Sequence, residues 1–189
     1  MANPVTTAVH HVEQAEGLDR PAAALERALA PLGRPGRLRD LLTGVPLGHA
    51  AHPMLTDIPI GCWTSATVLD LTGGPAARPG ARRLLGLGNL AALPAAVTGA
   101  AEWLQADTAS RRVGVVHANS NLVGLALYGT SWLARRRGRQ ALGVSLALAG
   151  MAVTTFAGHL GGHLAIARKV GTAVGEPDRH SSVAKRSSP

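Results

Sequence analysis

The sequence has only one cysteine, Cys62, among 189 residues. A single thiol excludes an intramolecular disulfide, so cysteine usage does not report the redox compartment. The first twenty residues, MANPVTTAVHHVEQAEGLDR, also lack the apolar core of a secretory signal. We therefore expect the first hydrophobic block of the chain to act as its own membrane-insertion signal.

Charged side chains are absent from two long stretches, 84–101 and 113–134. The hydrophobic content of 46% is ordinary, but the apolar residues gather in four blocks, at 54–71, 84–104, 113–133 and 141–167. Each block is long enough to cross the bilayer core, which needs roughly 17–25 helical residues. A soluble four-helix bundle is the alternative. Its helices need a charged outer face, which the two uncharged stretches lack.

The blocks predict an all-α fold: a four-transmembrane-helix antiparallel bundle with a short amphipathic N-terminal segment. Short connections such as QADTASRR make consecutive helices antiparallel neighbours. Before the blocks, Asp19 is a candidate helix cap, and Leu25, Leu29 and Leu32 share a helix face. We therefore expect a polar N-terminal tail with short amphipathic helices at 1–46, a membrane domain at 47–171, and a disordered tail at 172–189.

The net charge of +8 comes from arginine-rich connections such as RRRGR at 135–139. Basic connections beside apolar blocks favour anionic lipid headgroups over nucleic acid as partners. The distribution of Lys and Arg favours cytoplasmic termini in a multi-pass protein of the cell membrane. We therefore predict contact with the lipid bilayer and no nucleic-acid partner, and we leave open an oligomer.

Histidines and nearby acids gather at one end of the predicted bundle. The first and third blocks begin at this end, and the second and fourth blocks finish there. The third block also has a face of small and polar residues at intervals of three and four, which is typical of a helix side turned into a bundle. The opposite half has no histidine. The residues at the histidine end are His49, His52, Asp57, Glu102, His117, His159 and His163.

Neutral imidazole is a common ligand for haem iron and for transition metals. We therefore predict haem b or a His-ligated transition metal, in membrane electron transfer. The expected cofactor ligands are His49, His52, His117, His159 and His163, and the expected metal ligands are His52, His117, His159, His163, Asp57 and Glu102.

Two alternatives stay open. The first is a non-catalytic membrane scaffold or assembly subunit whose polar cluster is structural. The second, proton or metal-ion transport, is disfavoured because Tyr128 and Ser131, in the far half of the third block, are not suited to a relay. The sequence leaves open whether the protein is an enzyme.

Four motifs in order, GHAAHPMLTDIPIGCWTSATVLD, LAALPAAVTGAAEW, RRVGVVHANSNLVGLALY and GHLGGHLA, resemble the bacterial domain-of-unknown-function-2231 membrane family. The resemblance covers 47–171. Relatives usually read GHPxHP at the first motif, where Ala50 replaces a proline, and they often end the last motif with a tyrosine–arginine pair, where Ala167 precedes Arg168. The family's motif histidines correspond to His49, His52, His117 and His163.

The resemblance implies a redox setting, because some similar proteins continue into a Rieske-type iron–sulfur domain. This chain lacks the Cys-His pairs of such a cluster. The expected partner is therefore a separate Rieske-type protein or a quinone.

Overall fold

The computed structural model describes residues 4–171, and within that range the chain forms helices and no strand. The predicted all-α class is confirmed; the predicted C-terminal tail lies outside the described residues. The helices are α1 (Pro4–Glu13), α2 (Asp19–Gly33), α3 (Arg37–Thr43), α4 (Ala51–Thr72), α5 (Gly74–Trp103), α6 (Thr108–Arg136) and α7 (Gln140–Gly162), and a π-helical turn follows at His163–Ala167.

The four predicted blocks correspond to α4–α7, and each helix begins before its apolar block. Local chemistry sets the ends. Asp107 caps α6 because its side chain accepts a hydrogen bond from the Ser110 amide at 2.9 Å. Gly74 and Gly138 have φ values of +61° and +73° in the two tight connections, a backbone region that favours glycine.

The bundle consists of two helical hairpins, α4–α5 and α6–α7, each packed along its length. Helix α5 adjoins α6 and α7 adjoins α4, while the backbones of α4 and α6 make little direct contact. Helices α4 and α6 therefore face each other across the bundle, and long side chains fill the space between them.

The outer surface of the bundle is apolar. Ile58, Leu90, Leu122 and Phe156 are each more than half exposed. A water-facing bundle would have charged side chains on this surface, so its composition suits lipid.

Two of the four bundle helices, α5 and the segment Gln140–Ala167, are long and apolar enough to cross a membrane. Helices α4 and α6 do not reach that standard. Asp57 and Asp70 lower the hydrophobicity of α4, and His117, Asn119 and Asn121 lower that of α6. Length and composition therefore support two of the four predicted membrane spans.

The N-terminal helices pack over the end of the bundle where α4 and α6 begin. The predicted apolar face of α2 is partly buried: Leu25 and Leu29 contact the cluster around Trp103 and Val115. The predicted cap at Asp19 is wrong, because its carboxylate instead binds Arg112 with N–O distances of 2.7 and 2.8 Å. Helix α1 was not predicted.

Candidate functional site

His52 and His117, in the first halves of α4 and α6, come together on the axis of the bundle, near one of its ends. Their ring centroids are 6.4 Å apart and their planes are perpendicular. Both side chains are partly buried. Among the seven sequence-predicted site residues, these are the two histidines whose rings meet.

The His52 ring is fixed by helix α5. Its Nδ1 lies 2.8 Å from the carbonyl oxygen of Ala95. A carbonyl only accepts, so the neutral ring carries its proton on Nδ1 and has its lone pair on Nε2. Gly99 provides the space, since a Cβ there would lie 2.8 Å from Cε1 of His52.

The His117 ring is fixed by helix α7 in the same way. Its Nδ1 lies 2.8 Å from the carbonyl oxygen of Ala157, and a Cβ on Gly161 would lie 2.9 Å from Cε1 of the ring. The side-chain nitrogen of Asn121 lies 3.1 Å from Nε2 of His117. The amide therefore donates to the nitrogen that has the lone pair.

The histidine pair is one of three cross-bundle pairs between α4 and α6. Trp63 stacks on Tyr128 with ring centroids 4.3 Å apart, and Asp70 binds Arg135. Within each pair the two residues are 65 positions apart in the sequence, as His52 and His117 are. Ala66 and Ser131, also 65 apart, have no exposed surface.

Helices α5 and α7, which support the two histidine rings, are also related by a repeat. Residues of α5 correspond to the residues 62 positions later, on α7. Ala95 and Gly99 on α5 correspond to Ala157 and Gly161 on α7. The next contact towards the far end repeats too: Gly88 lies against Trp63, and its counterpart Gly150 lies against Tyr128. The two hairpins are therefore internal structural repeats. Both begin at the same end of the bundle, so an approximate two-fold axis runs along the bundle between α4 and α6.

Asp70 and Arg135 lie at the far end of this axis and were missed in the sequence. Both guanidinium–carboxylate N–O distances are 2.6 Å, and the side chains are 2% and 1% exposed. The RRRGR run predicts that Arg135 lies in a basic loop near lipid headgroups, whereas Arg135 is buried in the last turn of α6. An aspartate inside an apolar block requires a partner, and that requirement is the signal that could have found the pair.

His49, Asp57 and His159 do not join the histidine pair. All three are exposed. His159 lies on a different side of α7 from its buried residues Ala157 and Leu160. The predicted convergence of five histidines is therefore limited to two, because equal depth along a bundle does not place side chains on the same face.

His163 instead attaches α1 to the bundle. Its Nε2 lies 2.8 Å from Glu13, and Nδ1 of His10 lies 2.8 Å from the other oxygen of that carboxylate. Burial raises the pKa of Glu13, but hydrogen bonds from His163 and His10 and the charge of Arg168 outweigh burial and lower it. The carboxylate is therefore ionised at neutral pH.

Glu102 caps the start of α4. Its side chain accepts a hydrogen bond from the His52 amide at 3.1 Å and also binds the Ala51 amide. The α4 N-cap residue, Ala50, has no side chain that could do this. Glu102 therefore has a structural role next to the histidine pair, as the cap of α4.

Within residues 4–171, no group of three or more His, Cys, Asp or Glu side chains is arranged to hold a metal ion. The six metal ligands expected from the sequence are therefore not brought together within these residues.

A helical bundle with an apolar outer surface and paired side chains along its axis is the architecture of a helical membrane protein. The family model for "Predicted membrane protein (DUF2231)" matches residues 48–174, more than half of the chain. The chain belongs to this family, which confirms the resemblance seen in its motifs. No curated protein and no solved structure shows detectable similarity to the chain.

Proposed function

We propose that the protein is a four-span membrane protein that binds one b-type haem between His52 and His117 and serves in membrane electron transfer. The partly buried, perpendicular histidine pair, with each Nδ1 held by a backbone carbonyl, is the observation that carries this proposal. Bound haem would supply one-electron chemistry.

The number of ligands favours haem over a bare metal ion. A protein-bound zinc or similar ion usually takes about four ligands, or three and a water. Haem iron has four nitrogens from its macrocycle and needs at most two from the protein. Two histidines without a third ligand therefore suit haem iron best.

The separation of the rings supports the same ligand set. With a metal–nitrogen distance of about 2.0–2.1 Å, two imidazoles on opposite sides of one metal have centroids roughly 6 Å apart. The observed separation is 6.4 Å. Each Nδ1–H bond to a carbonyl is also the usual way to orient a ligating ring and leave Nε2 for the metal.

Haem binding would require two local adjustments. The side chains that separate the backbones of α4 and α6 would have to move apart for His52 and His117 to hold a haem between them. The Asn121 amide would also leave Nε2 of His117, and it retains its hydrogen bond to the backbone oxygen of His117 at 3.0 Å.

The proposed topology has α4–α7 all crossing the bilayer. Helix α4 has 22 residues and α6 has 29. Their lengths are about 33 Å and 43 Å, enough for a hydrocarbon core of roughly 30 Å. The polar groups that lower their hydrophobicity include His52, Asp70 and His117, which all bind partners inside the bundle.

Haem and metal content test the proposal directly. We expect detergent-purified protein from cells supplied with haem precursor to contain about one haem per chain by pyridine haemochrome assay. His159→Ala, which changes an exposed histidine, should keep that haem. Folded protein without haem, with or without a bound metal ion, would overturn the proposal.

A structural scaffold is the second candidate. The specific observation in its favour is that each ring of the pair already bridges two helices, His52 from α4 to α5 and His117 from α6 to α7. If the pair is only structural, the parent protein contains no cofactor and the His117→Ala variant is less stable than the parent. If the pair holds a cofactor, His117→Ala loses the cofactor and keeps the fold.

A further inference from the structure

A groove of about 620 Å³ opens on the outer surface of the second hairpin, between α6 and α7. Its walls include Val115, Val123, Val153 and Phe156, and Leu18 of the N-terminal segment lies at one end. The α6 wall runs from Val115 to Val123, about 12 Å along the helix. This length is much shorter than the roughly 30 Å contact that a spanning partner helix would make.

Two polar side chains, Asn119 and Ser120, line this otherwise apolar groove. The Asn119 amide donates one hydrogen bond, to the Val115 carbonyl oxygen at 2.8 Å. Its second N–H and the Ser120 hydroxyl have no hydrogen-bond partner within the described part of the chain. Lipid tails cannot satisfy such groups, so these side chains offer free hydrogen-bond donors to a bound molecule.

The internal repeat shows three positions at which this groove differs from the first hairpin. With the offset of 65, Asn119 and Ser120 correspond to Met54 and Leu55 on α4, and with the offset of 62, Ala152 corresponds to Leu90 on α5. Met54 and Leu90 are 48% and 67% exposed and are ordinary lipid-facing residues. The second hairpin therefore has small and polar residues where the first has bulky apolar ones.

We propose that this groove binds a membrane quinone, with its carbonyl-bearing ring at Asn119 and Ser120 and the first part of its isoprenoid chain along the apolar walls. The proposal rests on the proposed electron-transfer function. A quinone carbonyl accepts hydrogen bonds from both side chains. The groove walls include no Lys or Arg, the residues that would recognise a lipid phosphate.

The position of the groove suits electron exchange with the histidine pair. Asn119 and Ser120 follow His117 by two and three residues, within one turn of the same helix. Ser120 lies about 60° round α6 from His117, and Asn119 lies about 160° from it. A quinone there would be next to the helix that holds one of the two proposed haem ligands.

Binding of ubiquinone-2 to the full-length protein in nanodiscs tests the groove. We expect saturable binding that weakens at least tenfold in the double variant Asn119→Met/Ser120→Leu. This variant takes the side chains that the first hairpin has at the equivalent positions, so it should fold. Met54→Leu is the matched control and should bind like the parent. Equal binding by parent and double variant, no saturable binding, or equal affinity for an isoprenoid alcohol of the same chain length would overturn the assignment.

Haem content measured on the same samples separates the two proposals. Quinone binding without haem would leave the groove assignment standing and contradict the proposed haem site. Haem in the parent without saturable quinone binding would contradict the groove assignment alone.

Discussion

The carboxylate of Asp70 and the guanidinium of Arg135 form a bidentate, almost fully buried ion pair between equivalent positions of the two hairpins. This pair closes the far end of the bundle axis, and the histidine pair lies near the other end. The stacked Trp63 and Tyr128 lie between them, about 16 Å from the histidines and 10 Å from the ion pair along the helices. The axis is therefore occupied by three matched pairs.

Asp70 and Arg135 occupy equivalent positions in the two hairpins. We therefore expect the ion pair to form also when the two residues are exchanged. Asp70→Asn or Arg135→Gln alone should cost roughly 3–5 kcal/mol, because each leaves a buried charge without its partner. The double variant Asp70→Arg/Arg135→Asp should be more stable than either charge-reversed single variant, measured by thermal unfolding in detergent. A reversed pair no more stable than the single variants would contradict the repeat relationship.

Reversal also predicts a specific packing conflict. Gly143 gives the Arg135 side chain room, and its counterpart beside position 70 is Ala81, which is fully buried. Adding Ala81→Gly to the reversed pair should therefore raise its unfolding temperature. In the parent background the same change should lower that temperature, because it removes a buried methyl group.

Gly99 and Gly161 are predicted to be required for the positions of the histidine rings. Gly99→Ala or Gly161→Ala should each cost about 1–3 kcal/mol, since a Cβ would press on His52 or His117. Gly158→Ala is the matched control on α7, because a Cβ there meets no atom within 4 Å. Equal unfolding temperatures for Gly161→Ala and Gly158→Ala would exclude this packing role.

Trp63 and Tyr128 should be energetically coupled. A double-mutant cycle with Trp63→Leu and Tyr128→Leu should give a coupling energy of about 0.5–1.5 kcal/mol, typical of a stacked aromatic pair. The control cycle pairs Trp63 with the exposed Phe156 and should be additive. Unfolding in denaturant provides the free energies, and additivity in both cycles would argue against a contribution from stacking.

The attachment of α1 should weaken in acid. The pKa of Glu13 is lowered from its ordinary value of 4.5, so the attachment stabilises the fold fully above that value and is lost as pH falls through the lower folded-state pKa. Hydrogen exchange of α1 amides, measured from about pH 7 to about pH 3 and corrected for intrinsic rates, should show this loss.

Glu13→Gln tests the source of that pH dependence. Protection of α1 in this variant should be weak at neutral pH and should change little in acid, because the titrating carboxylate is gone. Asp57→Asn removes an exposed carboxylate elsewhere and should behave like the parent. The same acid profile in Glu13→Gln as in the parent would assign the effect to another group.

The periodicity of the sequence predicted most of the fold. The four apolar blocks correspond to α4–α7, and the predicted inner stripe of α6 is confirmed by burial of Gly114, Gly124, Tyr128 and Ser131. Hydrophobic blocks and small-residue stripes determine these features locally. The N-terminal helix α1 was missed because it attaches through Glu13, a contact with no local pattern.

The candidate site was predicted less well, because depth along a helix is only one of the two coordinates that place a side chain. His117 and His159 were expected at the same end of the bundle, but His117 lies on an inner face of α6 and His159 on an exposed face of α7. The equal spacing of eleven residues from His52 to Trp63 and from His117 to Tyr128 was present in the sequence. Alignment of the two halves would have revealed the axial pairs.

The absorption spectrum of the purified, dithionite-reduced protein tests the central claim most directly. Two axial histidines predict a Soret band and a six-coordinate, low-spin b-type spectrum, with about one haem per chain. That spectrum should be lost in His52→Ala and in His117→Ala and retained in His159→Ala. A haem-free parent, or a parent spectrum unchanged in His52→Ala and His117→Ala, would contradict the account.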